Sequence, residues 1–362
     1  EGAVTCTMDA THRAPVMWAR RTGLVLAVVV ALALVSCGGS GSKHRASRSP
    51  SSSAAPITTT TAAPTYPLTG LPATDPAILG RPALIVKIEN APEARPQSGL
   101  DATDVVIEER VEGGIVRFMA IFQSRDADPL GPVRSLRSTD PPVVTPIGGL
   151  FAYSGGIKPF IALLHQAPVV DVGVDSFDAA YYRRPGRSAP HNLYSSTARL
   201  RQRTPAGAKP PPPLFGYLGP GEAFAPAGVG PVTHLDVSVG VRTFATWDWD
   251  PQAGAWRRGT NGTPHVVESG AQLAFTNVIL QYVQYRNTGQ FDVVREPVDE
   301  AVVVGSGDAI ILSQGKVVKG TWTKSSAGDI THYTDAAGQP VRLTPGTTWV
   351  MLAPVGAPFH VQ

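Results

Sequence analysis

The sequence predicts an α+β protein, with a mixed α/β N-terminal domain that carries a β-hairpin at 104–124 and a mainly antiparallel β C-terminal domain. Three observations lead there. The 362 residues include 37 glycines and 34 prolines, and only 16% are charged, which suits short strands and frequent turns rather than a bundle of long helices. Two alternating runs meet at Gly113-Gly114, a pair free to take positive φ at both positions and so to reverse a strand. Beyond residue 232, short apolar runs are divided by Ser-Gly, Gln-Gly, Ala-Gly and Pro-Gly turns. An apolar content of 43% argues against wholesale disorder, and a net charge of +3 without a basic block argues against a nucleic-acid partner.

Taken in order, the first signal is an address. Arg20 and Arg21 follow Met17, an uncharged run covers 24–35, and the run closes on Leu34-Val35-Ser36-Cys37. The run is short for a membrane span but suits a signal-peptide core. The tetrapeptide resembles the bacterial lipobox, so Cys37 is expected to carry the acyl chains that hold the protein to the extracytoplasmic side of the cell membrane. Residues 1–36 read as an upstream artefact plus a lipoprotein signal peptide, with Met17 favoured over Met8 as the start. Residues 37–67, rich in Ser, Thr, Pro and Ala, cannot bury enough surface to offset ordering entropy and read as a tether. Cys6 leaves with the leader, so no disulfide is expected.

The rest divides into an N-terminal domain at 68–205, a Pro/Gly-rich linker at 206–231 and a C-terminal β domain at 232–362. In the first, 83–89 alternates apolar residues with Lys87 and Glu89, the pattern of a half-buried strand. A two-residue turn at Gly113-Gly114 would set Val111 opposite Val116, Arg110 opposite Arg117, Glu109 opposite Phe118 and Glu108 opposite Met119. Val105, Ile107, Glu109, Val111, Val116, Phe118, Ala120 and Phe122 would then face the core, while Glu108, Arg110, Glu112 and Arg117 share the other face. Helices are expected at 157–166, with Pro159 in the first turn, and at 196–203, capped by Ser195 or Ser196. In the second domain strands are expected at 275–285, 301–305, 309–313, 317–322, 341–343 and 348–352.

Standard chemical signatures are absent from the sequence: there is no G-x-S-x-G elbow, P-loop, H-E-x-x-H or C-x-x-C, and the histidines beyond residue 36 share no short metal-ligand spacing. Neither a metal nor a cofactor is expected. The glycines at 148–149 and 155–156 read as turns or as a backbone nest for an anion. What stands out is a concentration of Arg, Glu, His and Asn, giving the candidate ligand-binding residues Arg95, Glu108, Glu112, Arg117, Arg134, Arg137, His191 and Asn192. Loop guanidiniums hold planar anions bidentately, and His191 beside Asn192 can form a hydrogen-bonding or proton-transfer pair. The plainer reading is that these groups form salt bridges tying loops to the sheet. The favoured function is a binding or scaffold protein of the cell envelope that holds an anionic ligand or a partner protein. The alternative is a hydrolase or transferase acting on cell-wall polymer or its precursor, with Glu108 or Glu112 as base and His191 as acid or base. It is less favoured because neighbouring glutamates interleaved with arginine neutralise each other rather than flank a cleft.

A set of ordered motifs adds a resemblance. Arg81-Pro82, Asn90, Ala94-Arg95-Pro96-Gln97-Ser98-Gly99-Leu100, Asp104-Val105-Val106, Val111-Glu112-Gly113-Gly114-Ile115, Arg117-Phe118, Gly131-Pro132-Val133-Arg134-Ser135 and Arg187-Ser188-Ala189-Pro190-His191-Asn192-Leu193-Tyr194 resemble the DUF3048 family. Asn277-Val278-Ile279, Gly320-Thr321-Trp322 and Leu343-Thr344-Pro345-Gly346-Thr347-Thr348-Trp349-Val350 resemble its C-terminal domain. The chain departs at Glu109 and Arg110, where the family more often has an apolar pair. The resemblance implies a two-domain lipoprotein outside the cytoplasmic membrane and carries no established activity. Glu108, Glu112 and Arg117 match its motif.

Overall fold

In the computed structural model, which describes residues 63–362, the strand Thr348–Pro354 is the seam of the molecule. It pairs in parallel with Asn277–Phe291 on one side and with Val105–Arg110 on the other. The two stretches separated by the Pro/Gly-rich segment therefore share one twelve-stranded sheet. On one side of the seam the order continues through Asn277–Phe291, Gly305–Ser313, Lys316–Lys324 and His332–Thr334; on the other it continues through Val105–Arg110, Val116–Phe122, Leu84–Glu89, Leu150–Ala152 and Val170–Asp171. Apart from Pro354, every residue of the seam strand is buried, as a strand covered on both faces requires.

One face of this sheet packs on a second sheet of six strands, built on His234–Gly240, Thr243–Asp250 and Ala255–Thr260. Their common core includes Phe118, Trp349, Trp247, Trp256, Leu235 and Val237. The other face is covered by the short helices Asp140–Val144 and Lys158–Leu164 and by residues of the Pro/Gly-rich segment, Leu214 and Phe215 among them. Only four α-helices, of five to seven residues, occur among the described residues. The protein is thus mostly sheet with few helices. The lipidation site expected at Cys37 and most of the expected tether lie outside the described residues.

Several elements match the reading from sequence, and three depart from it. Helices form at Lys158–Leu164 and at Thr197–Arg201, where the Ser196 hydroxyl accepts the Arg199 N–H at 3.3 Å. The strand Leu84–Glu89, however, is buried at every position, Lys87 and Glu89 included. The hairpin loop has three residues, not two: Val111 N–H donates to the Ile115 carbonyl at 2.9 Å, and Glu112, Gly113 and Gly114 make the turn. The register is therefore shifted by one, with Glu108 opposite Phe118, Glu109 opposite Arg117 and Arg110 opposite Val116. A one-residue slip exchanges the faces of one arm relative to the other, so Glu109 rather than Glu108 shares a face with Arg117. The second sheet was not foreseen, although Leu235, Val237 and Val239 alternate along its first strand.

Residues 206–231 lie along the body. Gly216–Tyr217 pairs with Arg342–Leu343, Gly230–Pro231 pairs with Lys316–Lys324, and Phe224 is fully buried.

Candidate functional site

On the helix-covered face of the hairpin the sheet carries charge where its neighbours carry hydrocarbon. Glu89 and Arg117 are directly opposed on adjacent strands, as are Glu109 and Arg117. Each of these side chains is 4% exposed or less, so none can remain without a partner. Lys87 meets both Glu109 and Asp140, the latter at 2.6 Å, and Asp140 also accepts the Arg137 N–H at 2.7 Å. Burial pushes the Glu109 carboxyl upward, against the pull of Lys87.

Next to this network is an arginine cleft. Glu112, at the start of the hairpin loop, accepts from Arg117 at 2.8 Å and takes a two-pronged contact from Arg137, whose Nε lies at 2.7 Å. Burial pushes the Glu112 carboxyl up, but the Arg137 hydrogen bonds and the charges of Arg117 and Arg137 outweigh it and hold the group down at about 2. Burial and the neighbouring Arg137 bring Arg117 down to about 10, so it keeps its charge at neutral pH. The third guanidinium, Arg134, donates Nε to Glu89 at 3.0 Å. The other Glu89 oxygen takes His191 Nδ1 at 2.9 Å; a carboxylate can only accept, so Nδ1 carries the proton. Among the described residues no carboxylate engages the terminal nitrogens of Arg134. Arg117, Arg134, Arg137 and Glu112 line a cleft of about 180 Å³ together with Gly155, Gly156 and Asp292. Gly155 takes φ 119 there, a conformation that favours glycine.

The structure thus brings together Glu112, Arg117, Arg134 and Arg137, with His191 joined to them through Glu89. Three candidates fall elsewhere. Glu108 points to the opposite face because of the register shift, and there it accepts from Arg258 at 3.0 Å and from the Trp349 indole at 2.7 Å with no exposure to water. Asn192 fastens its own loop, accepting from Arg183 at 2.9 Å and donating to the Arg187 carbonyl at 3.1 Å. Arg95 lies on a separate cleft with His265. Sequence reasoning missed Glu89 and Asp140 as partners; the available signal was the placing of Lys87 and Glu89 at alternate positions in an otherwise apolar strand.

On the opposite face the Glu108 network is closed by neutral groups. Gln97 donates its amide to the Glu89 carbonyl and the Asn90 side chain, both at 2.9 Å, so its oxygen must accept from His265 Nε2 at 2.9 Å. His265 Nδ1 is then a lone pair, receiving Thr260 at 2.9 Å and Arg258 at 3.3 Å. Burial, with Arg258 and Arg95 nearby, holds this imidazole well below its usual range. Arg258 itself lies over the rings of Trp349, Trp247 and Phe118, with the closest centroid at 4.5 Å. Among the described residues no group of three His, Cys, Asp or Glu is placed to hold a metal ion, and no helix is long and apolar enough to cross a membrane.

Comparison with known proteins covers most of the described chain. The family described as "Protein of unknown function (DUF3048) N-terminal domain" matches residues 68–209, and its C-terminal counterpart matches 235–350. A protein named "Putative lipoprotein YerB", from Bacillus subtilis (strain 168), is 28% identical over 293 residues, which is 80% of this chain and 86% of that protein. The crystal structure of the YerB protein from Bacillus subtilis superposes with a TM-score of 0.68 at 24% identity, over 82% of this chain and 99% of that one. That likeness is one of fold.

Proposed function

The chain belongs to the DUF3048 family, described as proteins of unknown function, and from that premise we propose that it is a lipid-anchored, non-catalytic binding protein whose arginine cleft holds an anionic ligand. The observation that carries the reading is the convergence of Arg117, Arg134 and Arg137 on one cleft, with Glu112 on its wall and the buried Glu89 as positioning groups. Two guanidiniums are fixed by Glu112, and the third lines the cleft with only its Nε engaged by a carboxylate among the described residues, an arrangement suited to a planar or tetrahedral oxyanion. Anchoring is supported by the lipobox-like Leu34-Val35-Ser36-Cys37 and by the name of the Bacillus subtilis relative. The hydrolase or transferase alternative gains nothing from the geometry. Glu112 is locked between two arginines and held at about 2, so it stays ionised at neutral pH and is a poor proton acceptor, and Glu108 has no access to water.

Inorganic pyrophosphate serves as the probe. Added to the full chain in a nonionic detergent, it should raise the melting temperature in a saturable way. Arg134→Gln should remove that rise, measured against the variant's own unliganded melting temperature, since the change also takes a charged partner from the buried Glu89 and leaves it His191. An equal rise in the variant would overturn the cleft as the site. Mass analysis of the N-terminal peptide tests the anchor: an unmodified Cys37 in the membrane-extracted protein rules it out.

A further inference from the structure

The arginine cleft leaves one motif of the family unexplained. Arg95, from Ala94-Arg95-Pro96-Gln97-Ser98-Gly99, lies on the other side of the sheet network, in a cleft of about 420 Å³ between the turn at Pro92 to Pro96 and the segment Thr263 to Glu268. Its guanidinium is half-buried, and the Nε is buried without a hydrogen-bond acceptor among the described residues. No carboxylate lies within ion-pair distance of it there. The fold nevertheless holds the turn firmly: Arg187 donates to the carbonyls of Ala94 and Pro96, at 3.0 and 2.6 Å, gripping the backbone on either side of Arg95. Behind it, Arg258 is fully buried with one terminal nitrogen also unpaired. A half-buried guanidinium beside another cation, with Glu93 nearby but not in ion-pair contact, is left short of counter-charge in the folded chain.

The other groups in the cleft are already occupied. Both His265 nitrogens are used, by Gln97 on one side and by Thr260 and Arg258 on the other, so the ring offers only its carbon edge. Glu268, the acid on the rim, is held by Arg184 and by the Ser98 hydroxyl. The remaining walls are Pro92, Pro96, Pro264, Val266 and Val267.

We propose that this cleft binds a carboxylate carried on an apolar body, with Arg95 as its ion-pair partner. One guanidinium matches the charge and planar geometry of one carboxylate. A phosphate dianion would leave a charge uncompensated between apolar walls and beside Glu268. The proline and valine walls bury the hydrocarbon. The carboxylate can come from a free acid or from the end of a peptide whose last residue is apolar.

The test uses ligand-observed NMR on the full chain in a nonionic detergent, with acetyl-leucine, 4-methylvalerate, acetyl-leucinamide and inorganic phosphate as probes. Acetyl-leucine or 4-methylvalerate should bind saturably with a Kd of about 1 mM or tighter, and the amide should not. Arg95→Gln should weaken that binding at least about tenfold with an unchanged melting temperature, and Arg95→Lys should fall between, since it keeps charge but not the fork. Arg134→Gln should leave it untouched, which separates this cleft from the pyrophosphate site. A preference for acetyl-leucine over 4-methylvalerate assigns the chain end, and the reverse assigns the free acid. The proposal is overturned by equal binding in Arg95→Gln, by saturable binding of phosphate alone, or by binding of neither acid up to ~10 mM.

Discussion

At the scale of single residues, the sheet has solved one problem twice. Each face of the hairpin region carries buried charge in an apolar setting, and each charge is met by a partner rather than by water: Glu112 by two arginines, and Glu108 by Arg258 and the Trp349 indole. His265 sets a pH dependence through the second of these networks. Its folded form resists protonation, whereas the unfolded chain takes up a proton near 6.5. A depressed imidazole therefore costs nothing above about 6.5 and destabilises the fold increasingly as pH falls below it, at about 1.4 kcal/mol per pH unit. Glu109 is shifted upward, so its contribution runs the other way. Subtracting the stability of His265→Gln from that of the wild type removes the Glu109 part. Urea denaturation between pH 6.5 and 4.5 should show the wild-type advantage shrinking steadily; a constant difference would mean that His265 is charged in the fold. Glu112, held at about 2, adds to acid sensitivity only where unfolded carboxylates begin to protonate, near 4.5.

At the scale of elements, the hairpin loop is where the register is decided. Gly113 and Gly114 both take positive φ, 68° and 69°, but their surroundings differ: nothing lies near a Cβ built on Gly113, whereas one built on Gly114 would lie 2.2 Å from the Val241 side chain. Asparagine tolerates the left-handed region, so Gly113→Asn should cost less than about 1 kcal/mol. Gly114→Asn should cost roughly 1–3 kcal/mol, because strain is joined by overpacking. Thermal melts of the two variants decide it, and equal destabilisation would mean that the Val241 contact does not matter. The same loop explains what could be read from the sequence. Gly113-Gly114 announced a turn, and Ser196 and Pro159 announced helix starts, because those signals are local. Loop length was not encoded in the glycine pair: drawing Glu112 into the turn shifted the register by one and moved Glu108 out of the site. Glu112, Arg117, Arg134 and Arg137 line one cleft. Glu89 and Asp140 went unread as partners because their counterparts, His191, Arg134 and Lys87, are 102, 45 and 53 residues away.

At the scale of the whole molecule, the Pro/Gly-rich segment separates two stretches of sequence that share the twelve-stranded sheet. Their contact is the backbone ladder along Thr348–Pro354, reinforced by a core in which Phe118 meets Trp349 edge-on at 4.9 Å. Expressed alone, 63–205 and 232–362 should each lack a cooperative melt, and mixing them should restore one; two independent transitions would show that each half closes its own core. The seam strand also has a consequence for how the protein is made. Trp349 lies 241 residues after Glu108, which its indole caps, and the strand that carries it must enter between two others already synthesised. Until it arrives, the hairpin presents a bare edge of unpaired backbone N–H and C=O groups, a surface prone to pairing with another chain. Loss of the seam strand through a premature stop would therefore leave a protein that aggregates rather than one that is merely shorter. A seam strand supplied so late in the chain acts as the chain's own check on completeness.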